Sequence, residues 1–330
     1  MITVSSILDS IWYERYKAIS RLNLSSSIYD ITDKCNLTCR GCFFYASDHP
    51  VSMVEEHKKA NWELFVENET KKGIKLAILI GGEPALELDR VELFYKKMKV
   101  LCTTNGLIKI PKDRFPDIRI AISLWGDKGE ELRLRGIDTF SQSSANYAGD
   151  SRVYYVYNIS PNQVGQTESV IKKVKNIGLT VHPQLLLDGA QSNNFPWEKS
   201  LLAELRAELD SILDTYPDTF ISTKFFHQVL TTRQLFSRTF GWNECPSVSE
   251  KADDRQPKPK RMTGFNRWAS DLKTIHECCV SKVRNCDECA DSAALMSWIL
   301  VNKRDHIKTT ETLQNWIEVV EMFAKLNGLS

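Results

Sequence analysis

The sequence predicts an α/β fold built on a parallel sheet, and three observations carry that prediction. Between residues 27 and 187, short apolar runs alternate with longer helical patterns. Successive runs are too far apart to be joined by hairpins, and several end in a turn rich in Gly, Asn or Pro. Ahead of them the first 25 residues read as an amphipathic helix, with Ile7, Ile11, Trp12, Tyr16, Ile19 and Leu22 close to a 3.6-residue period. The expected strands are "SIYDIT" (27–32), "KLAILIGG" (75–82), "KVLCTTNG" (99–106), "IRIAISLWG" (118–126), "RVYYVYNIS" (152–160) and "LTVHPQLLL" (179–187). Helices are expected at about 54–72, 88–98 and 163–177, the last closed by Gly178, with a helical or loop segment near 128–146. Six strands with long crossovers make a parallel sheet covered on both faces. After residue 190 the pattern changes to a helix near 198–215, a polar, proline-containing stretch at 247–264 expected to be an exposed and mobile loop, a cysteine-rich segment at 276–291 and two terminal helices. The expected division is therefore an N-terminal helix (1–25), a parallel α/β core (26–190) and a mainly helical, cysteine-rich C-terminal region (191–330). No internal repeat is visible.

At 330 residues the chain is about twice the usual single-domain length. Lys plus Arg number 43 against 42 for Asp plus Glu, so no global field draws in nucleic acid or an anionic membrane. The N-terminal stretch has no basic start followed by an unbroken apolar core, and no apolar run approaches the roughly 18 residues that span a bilayer. A cytoplasmic location is expected. Thiols there stay reduced, and clustered cysteines more often hold a metal than a disulfide.

In parallel α/β sheets and barrels, ligands bind at the carboxyl ends of the strands. The first of those ends is "TDKCNLTCRGC", in which Cys35, Cys39 and Cys42 follow a Cys-x3-Cys-x2-Cys spacing. Three thiolates on one short loop suit either zinc or an iron–sulfur cluster. Zinc would need a fourth ligand, for which Asp33, Asp48 and His49 are candidates. A cubane cluster with three cysteines keeps one iron open to a substrate.

"CNLTCRGC" after the first strand, followed by "GGEP" after the second, resembles the radical S-adenosylmethionine superfamily over roughly residues 27–190. The resemblance implies a partial (β/α)6 barrel. It implies a [4Fe-4S] cluster on Cys35, Cys39 and Cys42, whose open iron is chelated by S-adenosylmethionine. Reductive cleavage of that cofactor to methionine and a 5′-deoxyadenosyl radical, followed by hydrogen abstraction from substrate, is the implied activity. Gly81 and Gly82 would let the backbone pass close to the methionine moiety, Glu83 with its backbone would bind the ammonium group, and Pro84 would stiffen the turn. Ser123, Asn158 and either Asn105 or Thr104 are further candidates for cofactor contact at strand ends. Arg133 and Arg135 could reach the cofactor carboxylate, but read more simply as solvated helix charges. The family usually has an aromatic residue just before the last cluster cysteine, against adenine. This chain has Gly41 there, and Phe43 or Phe44 is expected to take over the contact.

Cys102 lies among apolar neighbours in a strand and reads as a core residue. "HECCVSKVRNCDEC", with Cys245 upstream, is different. It resembles in position and density the cysteine-rich SPASM or twitch extensions of the family, without the seven-cysteine SPASM spacing. Cys245, Cys279, Cys286 and Cys289, with Cys278 able to replace Cys279, are expected to hold a second [4Fe-4S] cluster or a zinc ion, and His276 stands just ahead of them. Trp125, Trp197, Trp242 and Trp268 are expected in the core. The substrate expected is a small metabolite or a peptide, with a flavodoxin- or ferredoxin-like one-electron reductant and no membrane partner. Two alternatives remain. One is a transfer-RNA-modifying enzyme, for which Lys258, Lys260 and Arg261 are the available basic residues. The other is a non-catalytic iron–sulfur or zinc protein.

Overall fold

A computed structural model describes residues 8–22, 24–42, 44, 54–186, 195–232, 267–276, 292–301 and 308–329. All six expected strands form: β1 (Ser26–Asp30), β2 (Leu76–Ile80), β3 (Lys99–Thr104), β4 (Arg119–Leu124), β5 (Val153–Ile159) and β6 (Thr180–Leu185). They are rich in β-branched and aromatic residues, and β1 is buried at all five positions, as a strand covered on both faces must be. Each pairs in parallel with the next, with no reversal of order. A parallel sheet in strict chain order is a barrel wall rather than a doubly wound sheet. The wall stays open, because the outer side of β1 is taken not by β6 but by a two-residue strand, β7 (Arg267–Trp268). β7 turns back antiparallel into β8 (Ile275–His276).

Among the helices, α1 (Ser10–Ser20), α2 (Lys59–Lys71) and α3 (Leu88–Tyr95) lie inside their expected spans. The ambiguous stretch near 128–146 is two helices, α4 (Lys128–Arg135) and α5 (Thr139–Tyr147). Asp127 and Asp138 cap their starts, and Gly136, at φ 74°, ends the first in the left-handed conformation. The helix expected from 163 begins only at α6 (Thr167–Asn176), because Pro161–Gln163 is a separate 3₁₀ turn. The Gly165 and Thr167 amides at the start of α6 both donate to Glu208 of α7 (Lys199–Thr215), at 2.9 and 2.7 Å. α6 buries Thr167, Val170, Ile171 and Val174, an i, i+3, i+4, i+7 stripe. α8 (Lys224–Thr232), α9 (Ser292–Val301) and α10 (Thr310–Asn327) complete the described chain.

Tyr29 of β1 packs its ring against Phe65 of α2 and Phe94 of α3, which marks the helix-covered face of the sheet. Alternation along the pleat then places Asp30, Thr103, Ser123, Asn158 and Gln184 on the opposite, inner face. The polar, proline-containing stretch at 247–264 and the cysteine-rich segment 277–291 lie outside the described residues. No described helix is long and apolar enough to cross a membrane.

Candidate active site

The loops leaving β1, β2 and β3 are laced together at one end of the sheet. The Gly82 amide donates to the Thr32 carbonyl at 2.8 Å and the Glu83 amide to the Lys34 carbonyl at 2.7 Å. Gly81 has to be glycine here. Its φ is +127°, and a Cβ would fall 2.6 Å from the Thr32 carbonyl oxygen. The two sequence motifs thus stand directly beside one another.

Glu83 turns its carboxylate inward, 1% exposed. Oε1 accepts from the Ala85 amide at 3.0 Å and the Thr104 hydroxyl at 2.6 Å, and Oε2 accepts from the Asn105 amide at 2.8 Å. Burial pushes this carboxyl above the usual range, while those donors pull the other way. The side chain therefore ties the second loop to the third. Asn105 passes the connection on, its Nδ2 donating to Asn36 of the cysteine loop at 2.7 Å.

Cys35, Cys39 and Cys42 are each half-buried. The Leu37 amide points at Cys35 Sγ from 3.4 Å, and the Cys42 amide closes a turn on the Cys39 carbonyl at 3.2 Å. Burial raises the Cys35 and Cys39 thiols above their ordinary value, and the Arg135 guanidinium opposes that rise at Cys39. Among the described residues, no three His, Cys, Asp or Glu side chains come close enough to hold a single metal ion. A cluster asks for something different, since each thiolate binds a separate iron. Three soft, half-buried donors with an N–H aimed at one sulfur fit such a group.

Arg135 differs from its expectation. Arg133 is exposed as expected and pairs with the buried Glu130, but the Arg135 side chain is only 2% exposed. It donates to the Ser123 carbonyl at 2.6 Å and to Thr139 Oγ1 at 2.9 Å. The left-handed break at Gly136 ends α4 and leads into α5, so Arg135 bridges the Ser123 carbonyl of β4 and Thr139, the first residue of α5. Ser123 is half-buried on the inner face, and Asn158 spends an amide hydrogen on the Val156 carbonyl at 3.2 Å.

Phe43, Asp48, His49 and the cysteines at 245, 278, 279, 286 and 289 lie outside the described residues. Phe44 is buried, with the Arg267 guanidinium 5.8 Å from its ring. The ring that meets Gly41 is another one. A Cβ built on Gly41, whose φ is +81°, would fall 2.6 Å from a ring carbon of Phe195. Phe195 packs with Leu134, Leu186 and Trp125 in an apolar cluster separate from the main core. Trp125 is thus part of this wall rather than the core, whereas Trp197 is a core residue and Cys102 is fully buried as expected. Sequence reading missed Phe195, Glu55, Arg90 and Arg267, which carry no motif and reach the site only through the fold.

No family model matches the chain, and no curated protein matches it. Solved structures do. The chain is similar to polyhistidine-tagged anSMEcpe with bound AdoMet (TM-score 0.54, 15% identity, covering 87% of this chain and 83% of that one). It is similar also to native anSMEcpe with bound AdoMet and Kp18Cys peptide (TM-score 0.52, 15% identity, 87% and 83% covered). A third is Streptococcus suis SuiB bound to its precursor peptide SuiA (TM-score 0.57, 13% identity, 87% and 67% covered). At these identities the likeness is one of fold, and it is the partial-barrel fold that the two motifs led us to expect.

Proposed function

We propose that the chain is a radical S-adenosylmethionine enzyme acting on a peptide or a small metabolite. One observation carries the reading: the loop bearing Cys35, Cys39 and Cys42 and the Gly81–Pro84 turn are hydrogen-bonded to each other at adjacent strand ends. Cys35, Cys39 and Cys42 hold a [4Fe-4S] cluster. Bound there, the cluster supplies the electron that cleaves S-adenosylmethionine to methionine and a 5′-deoxyadenosyl radical, which takes a hydrogen atom from substrate.

The residues of the chain position and enclose that chemistry. Because the Glu83 carboxylate is committed to three donors of its own chain, the backbone of Gly81–Glu83 is left to meet the ammonium group. Ser123 and Asn158 face the same inner surface and contact the cofactor from β4 and β5. The Phe195 ring, seated on Gly41 and backed by Leu134, Leu186 and Trp125, supplies the apolar wall for adenine in place of Phe43 or Phe44. The peptides held by two structures of the same fold favour a peptide side chain as substrate. We assign the parallel core to residues 26–190 and an auxiliary [4Fe-4S] cluster or zinc to Cys245, Cys279, Cys286 and Cys289, with Cys278 in reserve. A flavodoxin- or ferredoxin-like protein in the cytoplasm would deliver the electron.

Anaerobically reconstituted protein given dithionite and S-adenosylmethionine should release methionine and 5′-deoxyadenosine. Changing Cys35, Cys39 and Cys42 together to Ala should abolish that release while metal remains at the C-terminal cysteines. An intact cluster that yields neither product would sink the reading. Iron near eight rather than four per chain would favour a second cluster, and four with zinc would favour zinc.

A further inference from the structure

The base of the cysteine loop is closed by a residue that belongs to neither motif. Glu55 lies just ahead of α2, its side chain 8% exposed. Its Oε2 accepts the Asp33 amide at 2.9 Å and the Thr32 hydroxyl at 3.1 Å, and its Oε1 accepts the same hydroxyl at 3.1 Å and the Arg90 guanidinium. Arg90, on α3, also donates to the Ile31 carbonyl at 2.7 Å and lies 5.0 Å over the Trp62 ring of α2. Trp62 in turn donates Nε1 to the Glu56 carbonyl at 2.8 Å. The helices after β1 and β2 therefore both hold the 55–56 segment.

On their other side, Thr32 and Lys34 accept the Gly82 and Glu83 amides. The residues leading into Cys35 are thus gripped between the glycine turn and one carboxylate. Only a carboxylate has two acceptor oxygens, enough for these donors from a single position.

We propose that Glu55, held by Arg90, is a positioning residue that fixes where Cys35 stands against the Gly81–Pro84 turn, and so sets the cluster and the cofactor in one register. The inference rests on the function proposed above. It is separable from that function, because the clasp can be read out on the metal-free chain.

A Glu55→Ala change would leave Arg90 buried beside an emptied site and risks unfolding. The deciding variant is the pair Glu55→Leu with Arg90→Met, since replacing a buried ion pair by apolar residues of similar volume is often neutral for folding. It removes the acceptor for Asp33 and Thr32. Hydrogen exchange on the metal-free chain should speed up about tenfold or more in the peptide covering 31–37, with β2 and β3 unchanged, as expected for losing hydrogen bonds to a charged group. Glu55→Gln, which keeps one acceptor oxygen, should recover part of the protection, between the paired variant and the parent. In the reconstituted protein, the S-adenosylmethionine concentration that half-saturates the change in the reduced-cluster electron paramagnetic resonance spectrum should rise about tenfold in the paired variant.

Unchanged exchange in that variant would overturn the clasp. Faster exchange with an unaltered cofactor response would reduce it to a structural contact and overturn the positioning role. A parent protein with no cofactor response would overturn the proposed function and the register role together, leaving exchange to judge the clasp alone.

Discussion

At the scale of single residues, Gly41 shows how a position without a side chain can meet a ring from a distant part of the chain. Its left-handed backbone and the ring lying against it leave no room for a side chain, and Phe195 brings that ring from beyond β6. If this ring carries the adenine contact, Phe195→Leu, which keeps apolar volume but loses the ring, should weaken S-adenosylmethionine binding about fivefold to tenfold. Phe195→Tyr should bind like the parent, and equal affinity for all three at matched iron content would refute the assignment. His182 carries a different consequence. It is fully buried on β6, its Nδ1 bonded to the Ile221 carbonyl at 2.8 Å and its Nε2 without a partner among the described residues, and burial lowers its pKa to about 4. The unfolded chain takes up a proton near pH 6.5 while the folded chain does not. Stability from the neutral ring is therefore complete above about pH 6.5 and is lost on acidification until about pH 4, a span worth about 3 kcal/mol. Urea unfolding between pH 7 and 4 should show a shallower acid loss for His182→Gln than for the parent. Parallel curves would mean that His182 does not titrate as described.

At the scale of elements, most strands were legible because each is a short apolar run bounded by turn residues. Boundaries slipped where caps from distant residues intervene. α6 starts late because Pro161–Gln163 forms a separate 3₁₀ turn, and Glu208 of another helix, not a local side chain, accepts the Gly165 and Thr167 amides where α6 begins. β7 was not legible at all, since two residues show no periodicity. Its place beside β1 is set by backbone pairing and by side chains. The buried Arg267 guanidinium donates Nε and Nη2 to the two oxygens of Asp30, each at 3.0 Å. Taking away one member of such a pair strands a buried charge, so Arg267→Ala should cost about 3–5 kcal/mol in chemical unfolding. Arg267→Met with Asp30→Leu should recover most of that loss. A parent-like midpoint for Arg267→Ala would show that β7 is held by other contacts.

At the scale of the whole molecule, strict strand order brings successive βα loops to one rim, and that geometry turns two separated motifs into one site. What the sequence by itself determined was the parallel α/β architecture, the six strands, the three thiols and the glycine turn. Each of these is a local pattern, governed by periodicity, turn chemistry or ligand spacing. The tertiary structure alone decided that the Glu83 carboxylate faces inward, that Arg135 is buried at the end of β4, that Phe195 stands against Gly41, and that Glu55 and Arg90 close the cysteine loop. Those contacts join residues from 12 to about 150 positions apart. Charge, size and hydrogen-bonding capacity are written in the sequence, but the partner each group meets is fixed only when the strands are brought side by side.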